Sequence, residues 1–246
     1  MKVLLDPAPL DGHPLNWGHR MRAETEYPGF HHFHPCAEFL YVHEGRGSVI
    51  ADGVAWDIRP GMLFLFQAYQ LHKVHASIAP GQPYVRTVSH FDPSAVEPLL
   101  AAFPGRHGVF RKLCGSGGMP AAYDLANAAD AVAGVLQGYE DAWARGDGDA
   151  QEEIAMLFLG LLTPLQAVVS GVRGTGNRPP RYSEAVMRWI DEHYADDVQL
   201  DAIAERMHLS KFHLSRVFRE ETGSSVTEYL MARRIRQACR LLQTTD

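Results

Sequence analysis

Only three cysteines occur in the 246 residues, Cys36, Cys114 and Cys239, and none belongs to a CxxC pair. An odd, scattered set excludes a secreted disulfide scaffold and fits a reducing compartment. The first residues, Met1-Lys2-Val3-Leu4-Leu5-Asp6-Pro7, lack the apolar core of a signal peptide. A bilayer span needs roughly 20 apolar residues. The greasiest stretch, Ile154 to Val169, is interrupted by Thr163, Pro164 and Gln166 and reads as too short and too broken to cross. An excess of positive charge is missing too. The formal net charge is -6, so contact with nucleic acid must rest on one local segment. With 46% hydrophobic residues, the chain is neither disordered nor collagen-like and can build a core and two modest domains. The expectation is a soluble, cytoplasmic protein with no membrane partner.

Charge is unevenly divided. From Arg173 onward there are 12 Lys/Arg and 11 Asp/Glu, against 11 and 18 before it. The break falls in Ser170-Gly-Val-Arg-Gly-Thr-Gly-Asn-Arg-Pro-Pro-Arg181, whose composition cannot pack and reads as a linker. The expected parse is an N-terminal unit over 1–110, a helical pair over 111–170, a linker over 171–181 and a C-terminal unit over 182–246.

Residues before 110 carry strand-like runs bounded by turn signals. Glu38–His43 and Ser48–Ile50 are followed by Asp52-Gly53, a strong hairpin signal, and Arg59-Pro60-Gly61 precedes Met62–Phe66. This spacing predicts a sandwich or barrel. From 121 to 170 the period changes. Leu125, Ala129, Val132, Leu136, Tyr139 and Trp143 form one helical stripe, Asp147-Gly148-Asp149 breaks it, and Ile154, Leu157, Phe158, Leu161, Leu162 and Leu165 form another, with Pro164 a kink or break. The fold class is α+β.

In the β-rich part, His32-Phe-His34-Pro-Cys-Ala-Glu38 reads H-x-H-x3-E, followed by Gly45. Residues 32, 34 and 38 share parity on an extended chain, and two imidazoles and a carboxylate on one face suit a divalent metal. His72 is the expected fourth ligand, and Cys36 shares the parity. His31 and His43 have the opposite parity and are expected at the surface. This spacing resembles the first cupin motif, and Pro60-Gly61 to His72 resembles the second. The match departs at Glu26, where the family has glycine, and after His72, where no asparagine follows. The resemblance implies a double-stranded β-barrel with a ligand cavity in its mouth. Its ligand-binding residues would be His32, His34, Glu38, Tyr41 and His72, of which all but Tyr41 could hold a metal ion.

The C-terminal part is the most specific. Ser183–Tyr194 and Gln199–Met207 read as amphipathic helices. Ser210 is an N-cap for a third, Lys211–Arg219, which ends before Gly223. Helix, short turn and capped helix make a helix-turn-helix, with the small Ala204 at the crossing. Leu214, Val217 and Phe218 form its core face. On the other side, Arg216 suits guanine and Phe212 a thymine methyl, while Lys211, His213 and Arg219 suit phosphates. Ser210 to Gly223, with Tyr229-Leu230, Arg233-Arg234 and Ala238–Leu242, resembles the first helix-turn-helix and connecting helix of the AraC/XylS transcription regulators. That resemblance implies base-reading positions at Phe212, Ser215 and Arg216. It also implies a cupin sensor for a small-molecule effector, double-stranded DNA as partner and dimerisation through the helices after the barrel. The family's second helix-turn-helix should begin after the helix at Thr227–Gln243, where this sequence reaches Asp246. The expected function is a ligand-responsive, DNA-binding transcription regulator and not an enzyme. The alternatives are a metal-dependent cupin enzyme and a truncated dimerisation or decoy module.

Overall fold

A computed structural model describes residues 10, 13–25, 27, 29–51, 53–115, 121–146, 149–171, 182–222 and 225–244. The element order begins with seven strands: β1 (Gly18–Ala23), β2 (Ala37–Glu44), β3 (Arg46–Ala51), β4 (Val54–Ile58), β5 (Met62–Phe66), β6 (His72–Ser77) and β7 (Tyr84–Phe91). Then come α1 (Pro93–Val96), α2 (Pro104–Cys114), β8 (Ala122–Asp124), α3 (Ala129–Arg145) and α4 (Ala150–Gly171). The C-terminal helices are α5 (Tyr182–His193), α6 (Leu200–Arg206), α7 (Lys211–Thr222) and α8 (Val226–Thr244).

Two antiparallel sheets face each other, one ordered β1-β7-β2-β5-β8 and the other β4-β3-β6. The turn between β3 and β4 pairs Ala51 with Val54. Gly53 takes φ +74 there, a left-handed conformation that glycine adopts without a side-chain clash. Strand alternation then sorts residues into layers. Leu40, Val42, Val49, Phe64, Phe66 and Val74 point between the sheets and pack as the barrel interior. On the outer face of the five-stranded sheet, Phe39, Tyr41, Leu63, Leu65 and Phe91 pack against Leu136, Phe158 and Leu161 of the helical pair. On the outer face of the other sheet, Ile50 and Ala55, with Phe33 and Leu71 from adjoining segments, pack against Val186, Met187, Phe218 and Tyr229. The C-terminal helices thus dock on the barrel and extend its core.

Several elements differ from the sequence reading. β8 belongs to the barrel sheet although it lies beyond residue 110, and a boundary at 110 cuts through α2. α4 runs unbroken through Pro164, with Gly160 so close to Val135 that an added Cβ would lie 2.6 Å from it. By length and composition α4 is a helix that could cross a membrane, contrary to the reading of a broken segment. Its Ile154, Leu157, Leu162 and Leu165 are instead buried in the helical core. The break at Asp147-Gly148 and residues 172–181 of the linker lie outside the described residues, while Gly146 ends α3 in a left-handed cap.

Candidate functional site

The barrel interior holds a histidine cluster around one carboxylate. A short bridge sets His32 opposite His72, each donating its backbone N–H to the other's carbonyl at 2.9 Å. Register between β2 and β7 sets Glu38 opposite His90. Glu38 Oε2 lies 2.8 Å from His34 Nε2 and 3.3 Å from both His72 Nε2 and His90 Nε2. Burial alone would raise the Glu38 carboxyl. The imidazoles of His34, His72 and His90 outweigh it and hold that carboxyl well below its ordinary range. For His34, burial opposes the charge, but hydrogen bonds with Cys36 and Glu38 prevail and push it up to about 10. Burial, then the neighbouring His72, lowers His32 to about 4.

The donor set fits a divalent metal. Nδ1–H groups of His32, His34 and His72 donate to the carbonyls of Phe30, Cys36 and Gln70 at 3.0, 2.8 and 2.9 Å. That pins each ring with Nε2 inward, the outer-shell pattern of metal-binding histidines. One donor atom from each of His32, His34, Glu38 and His72 lies within 4.8 Å of the others. His72 Nε2 is buried and has no aligned hydrogen-bond partner, as a ligand atom would. The cluster also closes on itself, because a His34 imidazolium and a Glu38 carboxylate neutralise each other.

Tyr41 is not part of this site. Its parity is opposite to that of Glu38, and it packs under the helical pair. His31 is not at the surface: it is buried in the domain contact, with its ring 5.1 Å from that of Tyr229. His43 is half-buried, with Nε2 2.8 Å from Thr87 Oγ1. Cys36 is buried beside His34. His90 was missed by sequence reasoning, although the alternation in Tyr84–Phe91 marks a strand whose even residues face one way. The cluster closes one end of a cavity of about 430 Å³ whose walls include Leu40, Val74, Val88 and Arg86.

In the C-terminal domain, Ser210 Oγ accepts the His213 N–H at 3.3 Å and caps α7. Leu214 and Phe218 are buried and Val217 is half-buried. Phe212 is 80% exposed, and Lys211, Arg216 and Arg219 are exposed beside the half-buried His213 and Ser215. Arg216 pairs with Glu220 at 2.9 Å and Lys211 with Asp201 at 3.2 Å. Both contacts are solvent-exposed and can be exchanged cheaply for phosphate or base edges.

Comparison with known proteins matches residues 19–157 to the AraC-like ligand binding domain and residues 203–246 to a helix-turn-helix domain. The chain belongs to the AraC family of transcription regulators. This AraC-family chain is 39% identical over 61 residues to the HTH-type transcriptional activator AarP of Providencia stuartii, a match covering 25% of this chain and 45% of that protein. The HTH-type transcriptional activator RhaS of Shigella sonnei is 24% identical over 242 residues, covering 91% of this chain and 76% of that protein. The structure of ToxT from Vibrio cholerae aligns over 95% of this chain and 85% of its own, with 13% identity and a TM-score of 0.41. The chain spans about half the length of the first curated relatives it matches, 45% for AarP and 59% for the regulatory protein SoxS of Salmonella typhimurium.

Proposed function

We propose that this AraC-family chain is a cytoplasmic regulator that binds double-stranded DNA through α7 and responds to a small molecule in its barrel, without catalysing a reaction. The observation that carries this reading is a two-sided wall. His32 and His72 face the cluster, while their chain neighbours His31 and Lys73 are buried on the other side. There the His31 ring meets Tyr229 of α8, and the Lys73 charge acts on Glu228. A ligand that shifts the cluster therefore shifts groups under the DNA-binding domain, which supplies the differential contacts that coupling needs. Within α7, Arg216, Phe212 and Ser215 read bases and Lys211, His213 and Arg219 hold phosphates. The helical pair α3 and α4 serves as the homodimer contact.

Arg216→Ala, titrated by fluorescence anisotropy against duplexes selected from random DNA, is expected to lose about 1–3 kcal/mol of binding and sequence preference. Lys211→Ala should weaken all duplexes alike and reduce the salt slope by about 1. Unchanged affinity and preference in Arg216→Ala would falsify the base-reading role.

A second reading is favoured by the four donor atoms of His32, His34, Glu38 and His72 lying within 4.8 Å of one another. Here His32, His34, Glu38 and His72 hold a divalent metal ion as a fixed part of the sensor. When bound, such an ion supplies open coordination positions to an effector.

A further inference from the structure

At the end of the cavity away from the histidines stands Arg86. On β7 the residues facing the interior alternate as Arg86, Val88 and His90, and His90 is opposite Glu38. Arg86 therefore lies four residues, about 13 Å, along the strand from the cluster. Its guanidinium is 4.5 Å from the centroid of the Tyr27 ring and 5.2 Å from that of Tyr84. Those contacts fix its position but leave its N–H donors unspent. Among the described residues, no hydrogen bond or ion pair engages the Arg86 side chain. The Glu38 carboxylate at the far end is already occupied by His34. Between the two ends the walls include the apolar side chains of Leu40, Val74 and Val88. An unmatched planar cation, an apolar waist and a remote neutralised cluster describe a complementary ligand.

Resting on the sensor reading above, we propose that the effector is an organic carboxylate whose anionic group forms a bidentate pair with Arg86 while its apolar body lies over Leu40, Val74 and Val88. A guanidinium matches a carboxylate in geometry as well as charge. The cavity volume of about 430 Å³ lies within the range of small-molecule sites.

The test is isothermal titration calorimetry on the full chain with benzoate, 3-phenylpropionate and octanoate, each beside its primary amide. At least one acid is expected to bind saturably below about 1 mM, with its amide and the Arg86→Gln variant weaker by roughly 10- to 100-fold. The inference is overturned if none of the three acids binds, if an amide binds as tightly as its acid, or if folded Arg86→Gln keeps full affinity. Should Arg86→Gln not fold, the acid-to-amide comparison on the unaltered protein decides alone. Acid binding without any change in DNA affinity would sink the sensor reading and leave the carboxylate site standing. DNA binding without acid binding would do the reverse.

Discussion

Glu184 is the polar pin of the domain contact, and its removal has a calculable effect. From the first turn of α5, its Oε1 accepts the backbone N–H of Ala55 in β4 at 2.9 Å, and it is 6% exposed. β4 is the outer strand of its sheet. A hydrogen bond to a charged group is worth about 1.5–3 kcal/mol. Glu184→Ala therefore shifts the docked-to-undocked ratio by roughly 10- to 150-fold. Ile50, Met187 and their neighbours still supply apolar contact, so the separate domains stay folded. Hydrogen exchange followed by mass spectrometry is the direct assay. The Ala55 amide, followed in peptides covering 54–58, should exchange faster by that factor in the variant, while β2 and β7 keep their protection. Glu184→Gln, which retains an acceptor without the charge, should fall between. The reasoning fails if the Ala55 amide is unaffected in Glu184→Ala, or if β2 and β7 accelerate equally, since the pin would then be irrelevant or global.

The reciprocal cap at the start of α8 gives a pH-dependent prediction. Ser225 N–H donates to Glu228 Oε2 at 2.7 Å, Glu228 N–H donates to Ser225 Oγ at 3.2 Å, and these bonds, the backbone one foremost, lower the Glu228 carboxyl. Because the folded pKa is depressed, the stabilisation is present above the ordinary carboxylate range and lost as pH falls through the folded value. Glu228→Ala should cost about 1 kcal/mol in urea unfolding at neutral pH, with the gap to the unaltered protein closing in acid. On the metal reading alone, elemental analysis of protein purified without added metal should find close to one divalent ion per chain, and chelation should lower the melting temperature; the self-neutralised His34–Glu38 cluster predicts neither. Less than about a tenth of an ion per chain, with no effect of chelation, would remove the metal reading.

Local signals carried much of this structure. Turn residues at Gly53 and Gly61 located β3 to β5, and the 3.6-residue stripes located α3 and α4. Ser210 marked the start of α7, and the parity of His32, His34 and Glu38 put the cluster together. What stayed hidden depends on pairing across long stretches of chain. His90 joins the cluster only through the β2–β7 register. The surface reading of His31 failed because parity says which way a side chain leaves the strand, not what another domain lays over it. Tyr41 was a different kind of error, since the alternation that grouped His32 with Glu38 already excluded it.

If the cavity is the effector site and α7 the DNA-reading helix, as proposed, the thin wall between them limits how such a regulator can diversify. On that reading, substitutions at His32 or His72 that alter effector preference would also disturb the footing of the C-terminal helices, so basal DNA affinity and effector choice would drift together there. The opposite wall is decoupled. Behind β7 lie the barrel's own helices, with Phe91 packed on Phe110 and Phe158. If Arg86 holds the effector as proposed, effector choice would be most cleanly varied at Arg86 and Val88, away from the contact with the C-terminal helices.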